Sequence, residues 1–300
     1  MQFDKAKIKD ENSNKYSSPS PMGLEILSDM PFKIERTRVS TPGGARTHHY
    51  HDSFELYYMY SGERYYFIKD KTYQIKRGNI VLIKQYDIHC TDNLSKSGYD
   101  RILINFKKSF LDGFASLVND VDLFRCFNKD IHIIKLDFKE QRFVETLLLS
   151  MLEEYDSNEV GRDYFLKTAL IQLLILVGRY SEQRDDDAES YVNAAHKTIS
   201  EVAAYINNNY GEDITLESIS ERFFISPYYF SRTFKRVTGI QFIEYLNGVR
   251  IKEAQRMLAK TNLSVSEVAS EVGYKSVTHF GRTFKNIVGV SPLAYKKRYT

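Results

Sequence analysis

The chain has 300 residues, 42% of them hydrophobic and 14% aromatic, with a formal net charge of +3; this suits about two folded domains and excludes a disordered or fibrous chain. Two isolated cysteines, Cys90 and Cys126, lack C-x-x-C spacing and exclude a disulfide framework and a zinc finger. No apolar run is long enough to span a bilayer and the polar N-terminus lacks a secretory core, so the expected location is the cytoplasm, with no membrane contact.

In chain order, residues 1–22 are rich in Lys, Asn, Ser and Pro and read as a flexible arm. Residues 23–135 hold short aromatic and β-branched runs, among them Phe54–Tyr60, Ile80–Ile83 and Ile102–Phe106, separated by turn signals at Gly43-Gly44, Ser61-Gly62 and Arg77-Gly78. Many short strands at regular spacing predict a small β-barrel. Within it, Gly43, His49, His51, Glu55 and Gly62 follow G-x5-H-x-H-x3-E-x6-G, and Gly78, His89 and Asn93 follow G-x10-H-x3-N. In an extended strand His49, His51, Glu55 and Tyr57 share parity and point to one face. Three imidazoles and a carboxylate suit Fe, Mn, Ni or Zn; the same side chains also suit an organic pocket, with polar groups orienting a ligand among aromatic walls.

At residue 136 the period changes from two to 3.6. Phe143, Leu147, Leu148, Met151, Leu152 and Tyr155 form one helical stripe, and Phe165, Leu166, Ala169, Leu170, Leu173, Leu174 and Val177 form a second. Residues 136–183 thus read as a helical hairpin. Its second helix is apolar on more than one side, as expected if it packs both on its neighbour and on a second copy of the chain. The acidic run at 184–190 reads as a linker.

Residues 191–300 contain a repeat. Laid without a gap, Thr215–Gly239 and Val265–Gly289 match at Phe230/Phe280, Arg232/Arg282, Thr233/Thr283, Phe234/Phe284, Lys235/Lys285 and Gly239/Gly289. Each copy reads as helix, turn, second helix, with the second helix begun by Ser226-Pro227 or Ser276 and ended by glycine. Phe230, Phe234 and Val237, like Phe280, Phe284 and Ile287, mark a buried stripe. Tyr228, Ser231, Arg232 and Lys235, and then Thr278, His279, Arg282 and Lys285, are left facing outward. Such a helix fits the DNA major groove, where Arg grips guanine bidentately and Lys or Ser holds phosphate. The helical pattern from Gln241 to Lys260 would join the two units rigidly. Charge agrees: residues 190–300 hold 15 Lys and Arg against 9 Asp and Glu, a balance of +6, while residues 1–189 hold 27 against 30, a balance of −3.

The segment SVSEVASEVGYKSVTHFGRTFKNIVGVSPLAYKKR carries A-x-x-V-G-Y, F-x-R-x-F-K, G-x-S-P and Y-K-K-R elements in order, and on these the C-terminal part resembles the DNA-binding domain of AraC/XylS-family transcriptional regulators. Ile219-Ser220 stands where that family usually has Leu-Ala. The histidine spacing resembles the two cupin motifs, departing at Lys84 and Tyr86. The resemblances imply an α+β chain: an N-terminal cupin-like β-barrel with a helical dimerisation hairpin, followed by an all-α double helix-turn-helix domain. They imply promoter DNA as partner, read by Tyr228, Ser231, Arg232, Thr278, His279 and Arg282. RNA polymerase and a second copy of the chain are further expected partners. The effector is expected in the barrel, a sugar touching Arg38, His49, His51, Glu55, Tyr57, Arg64 and His89, with no cofactor and no catalysis. Activation is the expected sign. The alternatives are a divalent metal on His49, His51, Glu55 and His89, making the barrel a metal-dependent enzyme, or a barrel that only dimerises.

Overall fold

The computed structural model describes residues 9–10, 30–40, 48–49, 51, 53–85, 87–92, 98–114, 121–129, 132–183 and 194–299. The expected linker at 184–190 lies outside the described residues, as does the expected arm at 1–22 except for β1 (Lys9–Asp10). The β1 backbone pairs in parallel with β2 (Phe32–Val39) through Lys9↔Thr37 and Asp10↔Arg38.

The N-terminal half is a two-sheet barrel. Its remaining strands are β3 (His48–His49), β4 (Phe54–Ser61), β5 (Glu63–Ile68), β6 (Lys71–Lys76), β7 (Asn79–Ile83), β8 (His89–Asp92), β9 (Tyr99–Phe106) and β10 (Ile133–Lys135). One sheet runs β1-β2-β9-β4-β7-β10, the other β3-β8-β5-β6. Between them Tyr57, Met59, Tyr66, Ile68, Tyr73, Ile75, Val81 and Ile83 form an interior core. The outer face of the six-stranded sheet is also covered. Leu56, Tyr58, Ile80, Ile102 and Ile104 pack against α1 (Phe138–Tyr155) and α2 (Arg162–Glu182). Buried on both faces, β4 therefore reads FELYYMY, a near-continuous apolar run rather than an alternation.

The two helices start and pack for local reasons. The Asp137 side chain accepts from the Glu140 N–H while Glu140 reaches back to Asp137, a capping box that starts α1. Val144, Leu148, Met151 and Leu152 of α1 are buried, while Phe143, placed on the stripe by spacing alone, is exposed. The breadth of α2 has an intramolecular cause: Leu166, Ala169, Leu170, Leu173, Leu174 and Val177 are all buried in one core with α1 and the sheet. That width was the reason for expecting a partner chain, and the sheet supplies the second contact. The aromatics left exposed on the hairpin are Phe138, Phe143, Tyr164 and Phe165.

The C-terminal half is all helical: α3 (Ala194–Asn209), α4 (Leu216–Arg222), α5 (Pro227–Thr238), α6 (Phe242–Lys260), α7 (Val265–Glu271), α8 (Val277–Val288) and α9 (Pro292–Tyr299). Capping boxes at Thr215 and Ser264 start α4 and α7; Ser226 and Ser276 cap α5 and α8, and Gly239 and Gly289 end them at φ 78° and 83°. The gapless repeat needs one correction. Leu216 and Val265 are 49 residues apart but Pro227 and Val277 are 50 apart, so the second turn is one residue longer and the first helices align one position off. The left-handed turn residue is accordingly Phe224 (φ 53°) in the first unit and Gly273 (φ 83°) in the second.

Candidate DNA-binding surface and sensor interior

Helices α5 and α8 turn the sequence pattern into a surface. Phe230, Phe234 and Val237 on α5, and Phe280, Phe284 and Ile287 on α8, are buried. Tyr228, Ser231, Arg232, Lys235, Thr278, His279, Arg282 and Lys285 are all exposed, so every residue expected to meet DNA lies on the solvent face. Among the described residues none of Arg232, Lys235, Arg282 and Lys285 joins an ion pair, which leaves these cations available to phosphate or base edges. His279 is held edge-on against Tyr274, ring centroids 5.4 Å apart.

The barrel interior is the opposite environment. His51 Nε2 lies 3.0 Å from Glu55 Oε2, and His89 Nε2 lies 3.7 Å from the same oxygen. Both Nδ1 atoms face backbone carbonyls, of Ser53 at 2.9 Å and of Asp87 at 2.8 Å. The Ser53 hydroxyl lies 3.1 Å from His51 Nδ1 as well, and both Nε2 atoms converge on the Glu55 carboxylate. Tyr66 OH is 3.5 Å from Glu55 Oε1. Burial pushes the Glu55 carboxyl upward, but the His51 contact and the nearby His89 imidazole outweigh it and hold the group well below the usual carboxylate range. Burial likewise opposes charging His89, and Glu55 overcomes it, raising the imidazole above its ordinary value.

Tyr57 is fully buried beside this triad, its ring 5.1 Å from Tyr66. Arg64 also faces inward, stacked 4.1 Å over the Tyr99 ring and donating to Thr91 Oγ1 at 2.9 Å. Two expected effector residues stand differently. Arg38 shares the parity of Ile34, on the helix-covered face of β2, and its half-exposed side chain pairs with Asp100 at 2.9 Å, so it is not brought to the interior. His49 is registered opposite His89 in the β3–β8 pair; its side chain lies outside the described residues. Sequence reading missed Tyr66, Arg101 and Asn105. Arg101 is registered opposite Met59 and Asn105 opposite Glu55, which puts both on the interior face.

A divalent metal fits this donor set in kind. Ligand atoms of His51, Glu55 and His89 lie within 4.8 Å of one another, and two imidazoles with one carboxylate, each Nδ1 fixed by a carbonyl, are the components of many metal sites.

The residues beside the triad also touch the helical half. Asp87, whose backbone carbonyl accepts from His89, buries its carboxylate against Lys252 of α6 and 3.9 Å from Lys69. Burial pushes the Asp87 carboxyl up, and Lys252 and Lys69 bring it below its ordinary range. Tyr245 of α6 donates to the Lys69 carbonyl at 2.7 Å, and Phe67, Ile88 and Cys90 of the barrel join the core of the first helix-turn-helix unit. A cavity of about 370 Å³, lined by Tyr73, His132, Asn207, Tyr245 and Lys252 among others, lies along this contact.

A barrel with a polar interior, packed against paired helix-turn-helix units with solvent-facing cations, defines a ligand-binding DNA-binding regulator. Two family models match accordingly: an AraC-like ligand binding domain over residues 31–174 and a helix-turn-helix domain over residues 219–298. The chain belongs to the AraC/XylS family of transcriptional regulators. The uncharacterized HTH-type transcriptional regulator YfiF of Bacillus subtilis is 27% identical over 266 residues, 85% of this chain and 82% of its own. YdiP of Escherichia coli, another uncharacterized HTH-type transcriptional regulator, is 39% identical over 101 residues, 34% of this chain and 33% of that protein. The crystal structure of ToxT from Vibrio cholerae aligns over 90% of this chain and 98% of its own at 16% identity, with a TM-score of 0.35. Among the described residues no helix is long and apolar enough to cross a membrane.

Proposed function

We propose that this chain is a cytoplasmic transcriptional activator that senses a small polyhydroxylated molecule, a sugar, in the barrel interior and passes the signal to its DNA-binding half. The observation that carries the reading is the short path from His89 through the Asp87 backbone to the Asp87–Lys252 pair on the helix joining the reading units. A ligand that hydrogen-bonds His51, Glu55 or His89 shifts the start of β8, and with it the seat of α6. Each domain arrangement then has its own ligand affinity, and by reciprocity ligand changes DNA affinity. Buried His, Glu, Tyr and Arg supply the stacking and hydrogen bonds a sugar requires. The exposed Phe138, Phe143, Tyr164 and Phe165 favour a dimer through the hairpin, and promoter-bound activation brings RNA polymerase as a partner.

The test is thermal melting of the full chain against a panel of pentoses, hexoses and polyols. One member should stabilise wild type in proportion to the logarithm of its concentration above Kd, and should change affinity for selected DNA. Both effects should vanish in His51→Ala. A panel without effect would sink the sugar reading; a ligand that stabilises without altering DNA binding would sink the coupling. The triad geometry favours one second reading, a resident divalent metal: about one ion per chain after purification, lost with effector response on chelation, would replace the organic pocket with a metal site.

A further inference from the structure

Each helix-turn-helix unit has its own core, and α6 is shared between them. Tyr245, Leu246 and Val249 belong to the first core, Ile251, Ala254 and Leu258 to the second. Between Val249 and Ile251 stands Arg250, a residue only 9% exposed. A buried guanidinium must have its N–H groups satisfied. Its Nε donates to the Tyr210 carbonyl and its Nη2 to the Glu212 carbonyl, both at 2.8 Å. These carbonyls lie just past the end of α3, where a helix leaves oxygens unpaired and its dipole favours a cation.

The other side of the guanidinium meets the second unit. It lies 5.5 Å from the centre of the Tyr274 ring. Gly273 comes so close that a Cβ there would sit 2.8 Å from Nη2 and 2.9 Å from the Tyr210 and Gly211 carbonyl oxygens. Gly273 and Tyr274 are the turn that aims α8. Two further bonds lie along the same seam: Tyr274 OH to Asn247 Oδ1 at 2.9 Å, and Lys275 Nζ to Asp213 Oδ2 at 2.6 Å. Arg250 thus stands where the end of α3, the middle of α6 and the turn before α8 meet.

We propose that Arg250 is the positioning residue that sets the rotation of the second unit relative to the first, and hence the spacing between the two DNA elements that one chain reads. Helix α6 by itself fixes how far apart the units lie along its axis. The seam fixes their rotation about it, and the planar fork, bonded to two carbonyls on one side and set over the Tyr274 ring on the other, holds that rotation as a single-point ammonium does not. In DNA, one added base pair turns the next element by roughly 35° about the helix axis. A rigidly seated pair of reading helices then accepts one spacing.

The inference rests on the DNA-reading assignment of α5 and α8, and its test separates the two. Sites are selected from random DNA with the full wild-type chain, and affinities are then measured on the selected site with zero, one or two base pairs inserted or removed between its elements. Wild type should prefer one spacing by about tenfold or more over its neighbours. Arg250→Lys should recover the same two elements with spacing preference reduced to within about twofold, because one contact can be remade but the fork cannot. A merely structural role would lower affinity on every spacing alike. A folded Arg250→Lys protein with wild-type spacing preference overturns the proposal, as does a wild-type protein tolerant of all spacings. Should Arg250→Lys fail to fold, Tyr274→Leu, which removes the ring but leaves both carbonyl bonds, is read the same way. Selection that returns no element from wild type sinks the DNA-reading assignment, and the inference with it.

Discussion

The reading helices and the barrel interior both rely on charged side chains, but in opposite solvents. Arg232, Lys235, Arg282 and Lys285 stand in water on helices whose stability comes from the phenylalanines behind them. Glu55, His51 and His89 are sealed within a core, the carboxylate held between the two imidazoles. A surface charge is nearly free to change as far as folding is concerned, and its whole effect appears in binding. A buried charge is coupled to folding, because removing one member strands its partners without water. The two halves should therefore respond to the same kind of substitution in different observables.

The largest effect is expected in the barrel. Glu55→Ala leaves two imidazoles facing an empty site, and should lower stability by about 3–5 kcal/mol, as for breaking a buried ion pair. Urea unfolding of the full chain measures it; a loss below about 1 kcal/mol would mean that the triad is solvated and that the contrast drawn here fails. Next come the reading arginines. Arg232→Ala and Arg282→Ala should each weaken specific DNA binding by about 1–3 kcal/mol while moving the folding stability by no more than about 0.5 kcal/mol. Each should also relax base preference in one part of the site, which base-substituted duplexes would reveal. Unchanged affinity and preference in both variants would remove α5 and α8 from the groove.

A pH series sharpens the same comparison, because the buried triad couples its titration to folding. His89 is raised above the ordinary imidazole value, so its contribution is complete below that value and is lost as pH rises through the folded value. Glu55 is depressed, so its contribution is present above the ordinary carboxylate range and is lost on acidification through its lowered folded value. The barrel should accordingly lose stability on the alkaline side of neutrality, with a slope of at most about 1.4 kcal/mol per pH unit for one proton. The slope should vanish in Glu55→Gln. A pH-independent melting point between 6 and 9 would show that His89 stays neutral in the folded chain, on the scale of about 1 kcal/mol set by one shifted unit.

The unequal solvents also explain what is legible in the sequence. On α5 and α8 one face is buried and the other wet, so a 3.6-residue period separates Phe230 from Arg232 unaided. On β4 and β9 both faces are buried. Alternation sorts Tyr99, Arg101 and Asn105 from Ile102 and Ile104, but nothing local says which set lines the interior and which meets the helices. The expectation of Arg38 in the interior fails on this point, and Arg101 takes the inward place. Asp87 was invisible on different grounds: its partner Lys252 lies 165 residues away, and no periodicity reports a contact between domains.

The smallest predicted effect isolates a backbone contribution at an exposed turn of the helical half, where the side chain itself is in solvent. Phe224 holds a left-handed conformation at φ 53°, the place Gly273 takes in the second unit, and its side chain is 95% exposed. A side chain with Cβ pays about 1–2 kcal/mol in that region. Glycine avoids this but gains roughly 0.5–1 kcal/mol of freedom in the unfolded chain. With almost no buried area to lose, Phe224→Gly should raise stability by about 0.5–1 kcal/mol, seen as a melting increase of a few degrees for a unit of this size. Its DNA affinity should stay within about twofold of wild type, since the residue lies in the turn and outside the expected reading set. A destabilised variant would mean that the exposed ring covers apolar surface such as Ile225 or Pro227 in solution, while a stable variant with weakened DNA binding would add Phe224 to the contact surface of the first unit.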